Sequence, residues 1–274
     1  MRPGRTPTAL SVAGSDPSGG AGVQADLKTF SALGVYGTAV LTALTAQNTR
    51  GVTGVHPVPA DFVILQLHTL LDDVTVHATK LGMLGSAAVV HAVADVLADR
   101  SAGPVVGDPV MVATSGDRLI DDDAVAAVRS RLLPLCDLVT PNVPEAAVLL
   151  DTAPATTVDE LVDQAHAVRA LGAGAALVKG GHLGGTESVD VLVTAAGATV
   201  TRRPRLATTA THGTGCTLSS ALAALATRDD GPADWPRLVE GARDYLQRAL
   251  AGGAELSIGS GSGPVHHFAG IWPA

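Results

Sequence analysis

Short apolar runs alternate with longer stretches of helical spacing along most of this chain, and glycine, proline or a polar residue closes nearly every run. Thr8 to Gly14, Gly37 to Ala46, Ala78 to Leu81, Val105 to Val110, Asp137 to Thr140 and Ala175 to Lys179 read as strands, short and largely apolar as buried strands are. Between most of them, Gly22 to Leu33, Ala60 to Leu71, Ser86 to Asp99, Asp121 to Leu133 and Val158 to Leu171 read as helices, with Val23, Leu27 and Phe30 on one face of the first. Ser86 is placed to cap its helix, and Asp121 to Asp123 put negative charge on a first turn, which reads as helix-start chemistry and not as a metal site. Such alternation builds βαβ units, and hence an α/β fold whose mainly parallel sheet is covered on both faces. Ligands then gather at the carboxyl ends of the strands. The loops Gly14 to Gly22, Gly82 to Gly85, Asp108 to Gly116, Pro141 to Glu145 and Gly180 to His182 follow predicted strands and share that rim, with Asn48 near it. Two β-like runs around Ala196-Gly197, between Glu187 and Thr201, predict an antiparallel hairpin.

No linker or charge block divides the sequence, so residues 1–274 read as one domain with a frayed end over 1–7. With 46% hydrophobic but only 3% aromatic residues, the core has to be filled by aliphatic groups between close-packed layers. A formal net charge of -8 without a Lys/Arg cluster argues against nucleic acid or an anionic membrane as a partner. The mean hydropathy of +0.31 signals no membrane span, because Asp, His, Gly or Lys interrupts each apolar stretch well before about 18 residues. No secretory signal is expected ahead of the first strand. Cys136 and Cys216 stand far apart without metal-ligand spacing, which fits reduced thiols and a cytoplasmic location. Cys136, between Leu135 and Asp137, reads as core packing, and His266-His267 as packing or capping.

His212-Gly213-Thr214-Gly215-Cys216, followed by the apolar run Thr217 to Ala226, points backbone N–H groups at one spot. The glycines permit a tight turn, a helix beginning near Cys216 leaves first-turn N–H groups unpaired, and its dipole adds positive charge. The spot suits a phosphate lying against the Cys216 sulfur, in a field that favours thiolate. Taken alone, the pentapeptide is equally a Gly-rich loop with a small buried Cys.

The other rim motifs bear on that choice. Gly14 to Gly22 lacks the Lys and Ser/Thr of a P-loop, and although Gly20, Gly22 and Ala25 fit G-x-G-x-x-A, no acidic residue lies between Asp26 and Asp61 to hold a ribose. Asp26, one turn into the next helix, offers a polar group for a substrate's amino or hydroxyl group. Gln47 and Asn48 present amides suited to a heteroaromatic edge, or simply end a strand. Asp108, Asn142 and Glu145 set oxygen ligands after two strands, as Mg²⁺ with nucleotide phosphates requires, or cap helices. Lys179 adds a cation at another strand end. Together these parts describe phosphoryl transfer from a nucleotide.

With these residues assembled, the chain resembles the hydroxymethylpyrimidine/phosphomethylpyrimidine kinases of thiamine biosynthesis, in the ribokinase-like superfamily. The resemblance rests on Ala13 to Gly22 with Gln24 to Phe30, Ala46 to Thr49, Lys80 to Leu84 and Asp108 to Met111. It continues through Thr140 to Ala146, Val178 to His182, Thr211 to Ser219 and Gly263 to Phe268. It implies a three-layer αβα sandwich with a small β lid at one edge, and a homodimer. It also implies a pyrimidine bound near Gly14, Ala21, Asp26, Gln47, Met83 and Val110. Contacts to ATP and Mg²⁺ would involve Asp108, Asn142, Glu145, Lys179, Thr214 and Gly215, with Asp108 and Glu145 at the metal. Thr114 departs from the pattern, which carries Lys there.

The expected reaction is attack by the substrate's hydroxymethyl oxygen on the γ-phosphate of ATP. Cys216 takes the proton while N–H groups of Gly213, Thr214, Gly215 and Cys216 steady the charge. The same site would serve the second phosphorylation, with the added phosphate near the loop after Gly14. Alternatives are a pyridoxal kinase, a cysteine hydrolase using Cys216 with His212, and a catalytically silent pyrimidine-binding protein.

Overall fold

In the computed structural model, which describes residues 6–111, 120–181, 183–229 and 231–272, the first strand β1 (Thr8–Ala13) is buried along its whole length. It lies between β2 (Tyr36–Leu41) and β5 (Ala78–Leu81), parallel to both. From β5 the sheet runs parallel through β6 (Val105–Gly107), β7 (Leu138–Val139) and β8 (Ala176–Lys179). Two antiparallel strands, β9 (Glu187–Thr194) and β10 (Gly197–Pro204), then form the expected hairpin and complete eight strands in the order β10-β9-β8-β7-β6-β5-β1-β2.

Strand periodicity sorts side chains to two cores. Leu10, Val12 and Leu81 pack against α2 (Ala60–Leu71), α3 (Ala87–Asp99), α4 (Asp122–Ala127), α5 (Val143–Leu150) and α6 (Val158–Ala170). Ala9, Ala78 and Val106 face the other way, toward α1 (Gly22–Ala32), α7 (Thr214–Ala226) and α8 (Trp235–Gly253). The result is the expected αβα sandwich. Ser86 and Asp121 cap α3 and α4 as read, accepting from Val89 and Ala124 N–H groups.

Several elements differ from expectation. The run Gly37 to Ala46 is not one strand: the chain leaves the large sheet at Thr42, whose hydroxyl donates to the Met83 carbonyl at 2.6 Å. It then enters a separate two-stranded lid of β3 (Ala43–Asn48) and β4 (Gly51–Pro57). The helix expected over Asp121 to Leu133 is α-helical only as far as Ala127, then passes through a π turn (Val128–Leu132) into a 3₁₀ turn (Leu133–Leu135). Pro134 has no N–H to continue the ladder, and the chain unwinds ahead of it. Pro141 to Glu145 is not all loop, since α5 starts at Val143, and α8 is a further helix beyond those expected. Among the described residues no helix is long and apolar enough to cross a membrane.

The chain turns from β1 to β2 on one side and returns to β5 on the other. A crevice therefore opens at the carboxyl ends of β1 and β5, where the strand order reverses.

Candidate active site

That crevice widens into a cavity of about 650 Å³, reaching from the β1 loop to the start of α7 and on to α8. Its floor begins with Gly14, where a Cβ would lie 2.5 Å from the Met83 methyl. The following loop is organised by Asp16, a buried carboxylate accepting from the Ser18 N–H (2.9 Å) and hydroxyl (2.7 Å), the Ala21 N–H (2.8 Å) and His212 Nε2 (2.7 Å). Burial opposes the charge of Asp16, but the His212 contact and these hydrogen bonds hold it below the usual carboxylate range. Lys28 ties the same loop down through the Gly19 carbonyl at 2.7 Å.

The lid is fastened to this loop. Ser15 N–H donates to the Ala43 carbonyl (2.9 Å), while the Thr45 N–H (3.1 Å) and hydroxyl (2.9 Å) donate back to Ser15. Strand alternation in β3 then separates the two amides: Gln47 lines the cavity, whereas Asn48 accepts from the Arg50 N–H at 2.8 Å in the turn to β4.

At the opposite wall α7 begins at Thr214, two residues earlier than expected. Gly213 stands at its N-cap with φ 78 and no side chain caps the helix. The Thr214 N–H closes a 3.3 Å turn on the Thr211 carbonyl, so Gly215 and Cys216 supply the open first-turn donors. A Cβ on Gly215 would lie 3.2 Å from Lys179 Nζ and 3.6 Å from Asp108 Oδ2, which places the helix start directly beside that ion pair.

Lys179 Nζ is 2.9 Å from Asp108 Oδ1 and 4.0 Å from Glu145 Oε2. Burial disfavours charge on both Asp108 and Lys179, yet each holds the other ionised: Asp108 stays below its ordinary value and Lys179 above. Glu145 is different. Burial pushes it up to about 7, with Lys179 pulling down and Asp108 pushing further up. Asn142 and Glu145 form a reciprocal capping box at the start of α5, at 2.9 and 2.8 Å, while both line the cavity. Capping and site placement thus coincide.

At Cys216 two effects oppose each other. Burial pushes its thiol up to about 11, against the opposing pull of Lys80 and the Gly22 N–H. Cys216 is half-buried on the cavity wall, where desolvation outweighs the pull of the neighbouring positive groups. His212 spends Nε2 on Asp16 and not on Cys216, so the Cys–His pairing of a hydrolase is not formed.

Of the residues singled out from the sequence, Gly14, Ala21, Gln47, Met83 and Val110 line this one cavity, as do Asp108, Asn142, Glu145, Lys179 and Gly213 to Cys216. Asp26 does not. It lies behind the floor, fully buried, with Lys80, Ser11 and Ser220 as donors. Thr114 and His182 lie outside the described residues. Asp16, Lys80, Asp190, Arg205 and Arg243 also line the cavity, none of them singled out from the sequence as a site residue. The available signal was a charged residue inside an apolar strand, as Lys80 is in β5 and Asp190 in β9.

Away from the cavity, Cys136 is buried against the Leu132 carbonyl. His267 meets Thr217 at 3.2 Å and is pushed down to about 3 by burial, as a neutral packed imidazole. The two histidines pack and cap as read. Among the described residues no group of three or more His, Cys, Asp or Glu could hold a metal ion.

An uncapped helix start facing a lysine and two buried carboxylates, at the strand ends of a parallel sheet, defines a phosphotransferase that acts on small molecules. The family model described as phosphomethylpyrimidine kinase matches residues 16–266. Hydroxymethylpyrimidine/phosphomethylpyrimidine kinase of Escherichia coli K12 is 52% identical over 264 residues, covering 96% of this chain and 98% of that protein. Among solved structures, an ADP complex of Bacillus subtilis pyridoxal kinase superposes with a TM-score of 0.88 at 33% identity, covering 97% of this chain and 98% of the other. Phosphomethylpyrimidine kinase of Clostridium difficile 630 superposes with 0.78 at 36% identity, covering 89% and 100%. The chain belongs to the phosphomethylpyrimidine kinase family, with the ribokinase-like fold.

Proposed function

We propose that this protein phosphorylates hydroxymethylpyrimidine, and then its monophosphate, with ATP in thiamine biosynthesis. The observation that carries the reading is the meeting of the α7 start, Lys179 and Asp108 in the cavity that Gly14, Gln47 and Met83 also line. The pyrimidine lies at the Gly14 end against Ala21 and Val110, with its hydroxymethyl group toward Cys216. The nucleotide takes the end lined by Asn142, Thr214 and Gly215.

The substrate oxygen forms its bond to the γ-phosphorus as the bond from that phosphorus to the leaving ADP oxygen breaks. The hydroxyl proton passes to the Cys216 thiolate, which becomes the thiol. Little covalent work is left to the protein, so positioning and charge stabilisation by Gly215 and Cys216 N–H groups and Lys179 dominate. Asp108 and Glu145 form a two-carboxylate oxygen set of the kind Mg²⁺ uses with waters and phosphates, and fit that ion. When bound, Mg²⁺ neutralises charge on the nucleotide phosphates. The second phosphorylation uses the same site.

ADP formation measured with hydroxymethylpyrimidine, its monophosphate and pyridoxal tests the assignment. The two pyrimidines are expected to turn over, with strict dependence on ATP and Mg²⁺. A clear preference for pyridoxal overturns the ranking, binding without ADP formation makes the protein a silent binder, and ATP-independent hydrolysis of an ester makes it a hydrolase.

We also read the protein as a cytoplasmic homodimer. Two free cysteines support a reducing compartment. Exposed Tyr36, Leu44, Val55, Phe62 and Leu65 gather on the edge strand β2, the lid and α2, and support pairing of two copies through that edge. Sedimentation is expected to give twice the chain mass, shifting to one on Phe62→Asp with Leu65→Asp; a wild-type monomer removes the dimer.

A further inference from the structure

A fully buried lysine salt-bridged beneath a reaction centre calls for an explanation, because replacing such a pair with apolar residues is often neutral or stabilising. Lys80 comes from the interior strand β5, is 0% exposed, and sets Nζ 2.9 Å from Asp26 Oδ2. Asp26 is fixed from two further sides, by the Ser11 hydroxyl at 2.5 Å and the Ser220 hydroxyl at 2.6 Å. Gly82 keeps the space open, since a Cβ there would sit 2.6 Å from Nζ.

The position of this pair relative to Cys216 follows from α7. Ser220 is four residues after Cys216, so the two stack on one helix face, and the Ser220–Asp26 contact seats the pair under the cysteine. Ser219, beside it, donates to Asp108 Oδ2 at 3.3 Å and turns the same stretch of helix toward the Lys179 pair. Lys80 and Cys216 line one cavity. The charged groups acting on Cys216 are Lys80 foremost, then Asp26 and Asp108, and Lys179 interacts with it as well. Asp26 takes Ser220 on Oδ1 and Lys80 on Oδ2, so the ammonium is set one carboxylate away from the helix face that carries Cys216.

We propose that Lys80 is a positioning residue for the reaction: anchored on Asp26, its ammonium lies under Cys216 and supplies the counter-charge for the Cys216 thiolate. The role of Asp26 is then to hold that ammonium in place. This rests on the reading of Cys216 as proton acceptor.

The test compares wild type, Lys80→Met and the double variant Asp26→Asn with Lys80→Met. Lys80→Met alone leaves an unpaired buried carboxylate and is expected to lose stability. The double variant removes both charges and keeps a neutral core, so it carries the experiment. Its fold is checked by thermal melting and ATP affinity. Cys216 reactivity is read as the rate of iodoacetamide alkylation at one mildly alkaline pH, located by peptide mass, and kcat and KM are measured separately. Expected are alkylation at least about tenfold slower and kcat at least about tenfold lower, with the pyrimidine KM within about threefold. Alkylation within about twofold of wild type, or slowed alkylation with unchanged kcat, overturns the proposal. Cys216→Ala tests the parent reading separately: near-normal turnover there removes the proton acceptor, while the alkylation rates still decide whether Lys80 charges the sulfur.

Discussion

Replacing Cys216 with alanine is expected to lower kcat by about two to four orders of magnitude, the usual worth of a general base, while ATP affinity stays within about twofold. The side chain lines the cavity, and the backbone N–H groups proposed to meet phosphate survive the substitution. The raised thiol value sharpens the expectation. A thiol at about 11 leaves roughly one thiolate in ten thousand at pH 7. The neutral form dominates below that value and the active anion is gained above it, so wild-type kcat should climb nearly tenfold per unit between about pH 7 and pH 9. The alanine variant should lose that climb. Near-normal turnover in the variant, or a flat wild-type profile over the window, would show that the proton leaves by another route.

Gly213→Ala is expected to be as severe, and to act on stability and turnover together. The residue holds φ 78, a conformation costing an L-residue about 1–2 kcal/mol, and a new Cβ would run into the Gly20 carbonyl oxygen. Overpacking against backbone adds about 1–3 kcal/mol, since no flexible side chain end is available to move aside. Relief can come only by separating the start of α7 from the Gly14–Gly22 loop. That displaces the donors which face the transferring group, and kcat should fall by about two to three orders of magnitude. Denaturant midpoints and turnover check both parts, with Gly231→Ala as a control in which the added Cβ meets nothing within 4 Å. A Gly213→Ala variant as stable and active as the control would mean that the two loops are not locked together.

The alternation of short buried strands with helices was enough to read the layers and the rim, because strand and helix periods differ and every strand between sheet faces must be apolar. What escaped depended on partners distant in sequence. The run from Gly37 to Ala46 breaks at Thr42, where the hydroxyl donates to the carbonyl of Met83, forty-one positions away. Helix α8 is an exception: Leu238, Val239, Ala242, Leu246 and Ala249 lie buried at helical spacing, a pattern legible in the sequence that the strand-and-helix alternation leaves out. Asn142 and Glu145 were open between capping a helix and lining a site, and the structure has them doing both. Asp26 was read as facing the cleft because one helical turn sets it near the loop. Its side chain instead points down to Lys80, a partner fifty-four positions away. The Cys216 field could be inferred from glycines and a helix start, but the desolvation opposing it depends on elements distant in sequence.

The three hydrogen bonds joining Ser15 to Ala43 and Thr45 make the lid and the substrate floor one continuous surface. A clasp formed within the chain leaves the aromatic ring little to rearrange on arrival, so the entropy of shaping its berth falls on folding and not on capture. Encounter at that end should accordingly proceed in a single kinetic phase, with any slow adjustment confined to the nucleotide side.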